Sequence, residues 1–66
     1  MNKNLLKAIM LTHNDKIDSL AKELNVTRTT LYSKLKGKSQ FTLRDIQTIK
    51  ARYNLTIEEI GNIFFS

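Results

Sequence analysis

The stretch LAKELNVTRTTLYSKLKG, residues 20–37, decides how this chain is read. Leu20, Ala21 and Leu24 continue from Ile17 the i, i+3, i+4, i+7 spacing of one apolar helix face. Asn25 follows at once, a residue that tolerates the left-handed conformation used where helices end. Val26 then points inward, and the Thr27 hydroxyl is placed to cap the amides of a new helix. That helix runs from Arg28 to about Lys36, with Leu31 and Leu35 inward and Gly37 at its end. Its exposed side carries Arg28, Thr29, Tyr32, Ser33 and Lys36. Two short helices joined by a three-residue turn have the spacing of a helix-turn-helix. Small Ala21 lets the helices cross closely, and Leu20, Leu24, Val26 and Leu31 lock the angle. The first turn of the second helix then stands proud of the surface, a shape that fits a groove about 12 Å wide.

Outward from this motif, Leu5, Leu6, Ile9 and Met10 predict a first helix over Lys3 to Leu11, broken by Thr12, His13 and Asn14. Asp15 reads as the N-cap of the second helix, about Lys16 to Leu24, with Asp18 in its first turn. Beyond the motif, Lys38, Ser39 and Gln40 form a polar loop and Thr42 caps a fourth helix. Its Leu43, Ile46, Ile49 and Tyr53 are expected to face the core, and Asn54 ends it. Thr56 with Glu59 makes a T-x-x-E capping box that opens a fifth helix over Ile57 to Phe64. There Ile57, Ile60, Ile63 and Phe64 form the core-facing stripe, and Phe65 is a candidate for exposure. The expectation is an all-α fold, a compact five-helix bundle forming a single domain over residues 1–66.

A chain of 66 residues buries only about 60% of the surface it exposes unfolded. With no cysteine and no metal-ligand spacing, packing and helix capping must hold the fold. No cofactor is expected. No apolar run approaches the roughly 20 residues of a spanning helix, and the lack of cysteine agrees with a reducing, cytoplasmic setting. The absence of proline favours uninterrupted helices. The net charge of +5 is unevenly placed: Arg28, Lys34, Lys36, Lys38 and Arg44 fall within seventeen consecutive residues that hold no acid. The six basic residues elsewhere are balanced by six acids. Such a patch is either a phosphate-binding surface or a solvated lysine-rich face. His13 has no second ligand or nucleophile near it, and Asp15 and Asp18 are explained by capping and the helix dipole. Gly37 and Gly61 stand alone and form no phosphate loop, so nothing points to an enzyme.

At Leu20-Ala21, Leu24 to Leu31 and on to Gly37, the sequence resembles the lambda-repressor-like family of phage repressor and Cro proteins. Gly37 to Ser39, Phe41-Thr42-Leu43, Ile46, Ile49, Leu55-Thr56, Glu58 to Ile60 and Ile63 to Phe65 extend the likeness to short Cro-like phage regulators, nearly end to end. A local resemblance of Thr27 to Lys36 to the recognition helix of Fis-type proteins covers ten residues, but there the motif closes a longer chain, whereas here two helices follow. Asn25 stands where the family usually has glycine, and Ile17 where it often has a glutamine that hydrogen-bonds a phosphate, a contact in place of which Lys16 could supply a charge. The resemblance implies a cytoplasmic transcriptional regulator, a Cro-like repressor, that places its third helix in the major groove of double-stranded operator DNA. Arg28, Thr29 and Ser33 would then face base edges with Tyr32 beside them, unless they merely form an ordinary exposed helix start. Lys16, Thr27, Lys36, Lys38, Gln40 and Arg44 would hold phosphates. Ile63, Phe64 and Phe65 are candidates for a homodimer interface. The alternative is a protein-interaction module of the same fold that binds another repressor as modulator or antirepressor.

Overall fold

Four of the five helices begin on a side chain that caps them, and four end at a residue in the left-handed conformation. The structure, a computed structural model, describes residues 1–65. Its helices are α1 (Lys3–Thr12), α2 (Ile17–Glu23), α3 (Arg28–Leu35), α4 (Leu43–Tyr53) and α5 (Ile57–Phe64), with no strand among the described residues. Each lies within a residue or so of its expected bounds.

The starts are satisfied locally. Asn2 accepts from the Leu5 amide (3.1 Å) and Thr27 from the Thr30 amide (3.0 Å). Thr42 and Asp45 exchange bonds of 3.0 Å each in a capping box, as Thr56 and Glu59 do at 3.1 and 2.8 Å. The ends share one geometry. After α2, the Val26 amide donates to the Ala21 carbonyl (3.0 Å) and the Asn25 amide to Lys22 (3.1 Å), the paired bonds of a Schellman motif. Asn14 after α1, Gly37 after α3 and Asn54 after α4 close their helices in the same way.

Leu6, Leu20, Leu31, Ile49 and Ile63 are fully buried, one from each helix, and Met10, Ala21, Leu24, Leu35, Tyr53, Leu55 and Ile60 complete the core. The inward positions of the helix-turn-helix are therefore as expected, with Val26 partly buried against the core. α2 packs on α3 and α1 on α5, and the Asn2 amide donates to the Ile63 carbonyl (2.6 Å), tying the start of α1 to the end of α5.

Three expectations need correction. Asp15 does not cap α2: Lys16 is the N-cap and makes no side-chain capping bond, while the Asp15 carboxylate turns to Arg52 and Tyr53. Leu43 and Ile57 are 71% and 80% exposed rather than core residues. Both are the first helical residue after a capping threonine. At about 100° of rotation per residue, that position lies well off the line through Ile46, Ile49 and Tyr53, or through Ile60 and Ile63.

Candidate nucleic-acid interface

α3 divides its side chains between two tasks. Leu31 and Leu35 enter the core, while Thr29, Tyr32, Ser33 and Lys36 recur at the spacing that lines one helix face. With Lys38 from the following loop, these four residues line one shallow surface hollow. Thr29 and Lys36 are exposed, Tyr32 is 42% exposed, and Ser33 is half-buried with its hydroxyl 3.2 Å from that of Ser39. The Schellman turn at Gly37 (φ +84°) holds this loop against the helix end, the Lys38 amide donating to the Ser33 carbonyl at 3.0 Å.

Arg28, the first residue of α3, is exposed and aligned. Its Nε donates to Oδ1 of Asp18 and its Nη2 to Oδ2, each at 2.6 Å. The hydrogen bonds from Arg28 are the main reason that the Asp18 carboxyl lies below its ordinary pKa, and they raise the guanidinium's in turn. The other candidates do not share the hollow on α3. Thr27 lines a hollow with Lys22, Asn25, Val26 and Thr30. Arg44 lines one with Glu23, Gln47, Thr48, Ala51 and Arg52. Gln40 and Lys16 are exposed, Lys16 at the start of α2.

The basic stretch is smaller in space than in sequence, because Lys34 has left the surface. It is 8% exposed, and its ammonium donates to Asp45 Oδ2 (2.8 Å) and to the Gln40 carbonyl (3.0 Å), with the Phe41 ring 5.8 Å away. Burial alone would raise the Asp45 pKa, but the bonds from Lys34 and from Thr42 outweigh it and lower it. The ion pair fixes the loop to the start of α4, a structural role that the charge count alone did not reveal. The Thr42-x-x-Asp45 spacing was the available signal for Asp45. Lys36, Lys38 and Arg44 keep their charge on the surface, and among the described residues no carboxylate pairs with them.

A second network stands behind the motif. Arg52 of α4 donates from Nε and Nη2 to Asp15 (2.8 and 3.0 Å) and from Nη1 to Glu23 at the end of α2 (2.9 Å). This holds both ends of α2 to α4, and so fixes the support on which α3 rests. The candidate apolar interface is divided. Ile63 is fully buried in the core and has no surface to offer. Phe64 is half-buried edge-on to Phe41, ring centroids 5.3 Å apart. Phe65 is 74% exposed and borders a groove with Met1, Phe41, Ile46 and Phe64.

Among the described residues no cluster of side chains could hold a metal ion, and no helix is long and apolar enough to cross a membrane. No curated protein and no solved structure matches the chain. The family comparison does match: the model of the Cro/C1-type helix-turn-helix DNA-binding domain aligns with residues 5–64, which takes in all but the first two residues of α1 and every residue of the other four helices. On that match, and with α2, the turn at Asn25 and α3 arranged as described, the chain belongs to the Cro/C1-type helix-turn-helix DNA-binding domains.

Proposed function

We propose that this protein is a sequence-specific transcriptional regulator, a Cro-like repressor that seats α3 in the major groove of an operator. The observation that carries this reading is the exposed face of α3. Thr29, Tyr32, Ser33, Lys36 and Lys38 share one hollow, Arg28 stands at the head of the helix, and none of these side chains is needed by the core. In this reading Arg28, Thr29, Ser33 and Tyr32 meet base edges. Lys16, Thr27, Lys36, Lys38, Gln40 and Arg44 meet phosphates and set the register without reading sequence. A second copy, paired through the end that carries the exposed Phe65, would present two such helices to half-sites about 34 Å apart.

A second reading, a module that binds another repressor as modulator or antirepressor, draws on the same exposed Phe65 and on the groove beside it. Fluorescence anisotropy over a salt series, on a random duplex and on DNA from the protein's own regulatory region, separates the two. Salt-dependent binding that favours the regulatory DNA by about 10³ or more is the expected result. Weak binding without preference would transfer the function to the protein-binding reading.

A further inference from the structure

The contact between Asp18 and Arg28 uses only part of the arginine. A guanidinium has five N–H donors, one on Nε and two on each Nη. Asp18 takes the Nε hydrogen and one of the Nη2 hydrogens in a side-on pair. The remaining Nη2 hydrogen and one on Nη1 form a second parallel fork at the far end of the side chain. Two parallel N–H groups are what the O6 and N7 acceptors of guanine require. The backbone that carries this carboxylate is well anchored. Asp18 sits in the first turn of α2, and the buried Leu20, Ala21, Leu24 and Leu31 fix α2 against α3. The pair favours one orientation of a long flexible side chain at the head of α3 before any ligand arrives, which reduces the ordering penalty of binding.

We propose that Asp18 is a specificity-determining residue: it aligns Arg28 so that the free Nη1–Nη2 fork faces outward to grip guanine, and it stays paired in the complex. This rests on the reading that Arg28 faces a base edge. Asp18 itself touches no base and acts as a positioning residue.

The test is a set of duplexes carrying each single base-pair change in the preferred site, bound in turn by the parent protein and by Arg28→Ala, Asp18→Ala, Asp18→Asn and the double variant Asp18→Ala/Arg28→Ala. Both side chains are more than 60% exposed, so the variants are expected to fold, which circular dichroism checks. Arg28→Ala is expected to flatten the preference at one G·C pair. Asp18→Ala should lower discrimination at that same pair by about tenfold and leave the other positions unchanged. Asp18→Asn, with one acceptor oxygen, should fall between, and the double variant should lose no more than Arg28→Ala alone. Flattening by Arg28→Ala together with undiminished discrimination in Asp18→Ala would overturn the positioning role and leave base reading by Arg28 intact. No flattening by Arg28→Ala at any position would overturn the base-reading assignment, and the role of Asp18 with it.

Discussion

Asp15 shows how much one side chain can join. Its carboxylate accepts from Nε and Nη2 of Arg52, from the Tyr53 hydroxyl at 2.5 Å and from the Lys16 amide at 3.0 Å. The Arg52 bonds are the chief cause that brings its pKa down to about 2, against the opposing effect of burial, with Tyr53 and Lys16 helping. Burial, and next the bond to Asp15, push the Tyr53 hydroxyl well above its usual range, so it remains a donor. A carboxyl whose pKa is lower folded than unfolded stabilises the protein above the unfolded value of 3.8, and that contribution fades as pH falls toward about 2. Asp15→Asn is therefore expected to be less stable by about 2 kcal/mol at neutral pH, with the gap closing between about pH 5 and pH 2. Urea unfolding of both proteins at a series of pH values measures it, and a gap independent of pH would remove the charge from the account. None of this was legible along the chain, because the partners lie 37 and 38 residues away. Read locally, an aspartate before a helix is a cap. The pairing of Lys34 with Asp45, 11 residues apart, escaped a local reading for the same reason.

The helices owe their limits to a repeated device. Asn14, Asn25 and Asn54 hold φ near 53–58° and Gly37 holds +84°, each closing the helix before it. Asparagine bears this conformation better than other residues with a Cβ, and glycine bears it best. Asn54→Gly is accordingly expected to leave stability unchanged or slightly raised, while Asn54→Ala loses about 1 kcal/mol. Denaturant midpoints of the two variants check this, and equal losses would show that the asparagine amide matters rather than its backbone. This layer was largely readable: Asn25, Gly37 and Asn54 as ends, and Thr27, Thr42 and Thr56 as starts, all act within a few residues of themselves. Leu43 and Ile57 were misread because periodicity sees an apolar residue and not its rotation at a helix start. The Asp18–Arg28 pair bridges two elements, so no reading of either helix alone could reveal it.

Across the whole molecule, charge is sorted more sharply than the sequence suggests. Of the five basic residues between Arg28 and Arg44, Lys34 is consumed inside and Arg28 is matched by Asp18. If Lys36, Lys38 and Arg44 are the residues that meet phosphates, replacing each by alanine should reduce the slope of log affinity against log salt by about 0.9. The loss should be alike on every DNA sequence, whereas folded Lys34→Met should keep the parent slope. Anisotropy titrations at several salt concentrations decide it, and unchanged slopes in all three alanine variants would remove them from the DNA contact. The five-helix order was legible because each element carries its own apolar stripe and α3, α4 and α5 each open on a capping threonine, whereas the way α4 braces α2 through Arg52 was not. The partition within α3 has one more consequence. Leu31, Lys34 and Leu35 belong to the scaffold, and Thr29, Tyr32 and Lys36 belong to none of it. If the outer face of α3 reads DNA as proposed, recognition and folding are written in separate letters of one short segment, and a library varied at Thr29, Tyr32 and Lys36 would explore new targets on an unchanged frame.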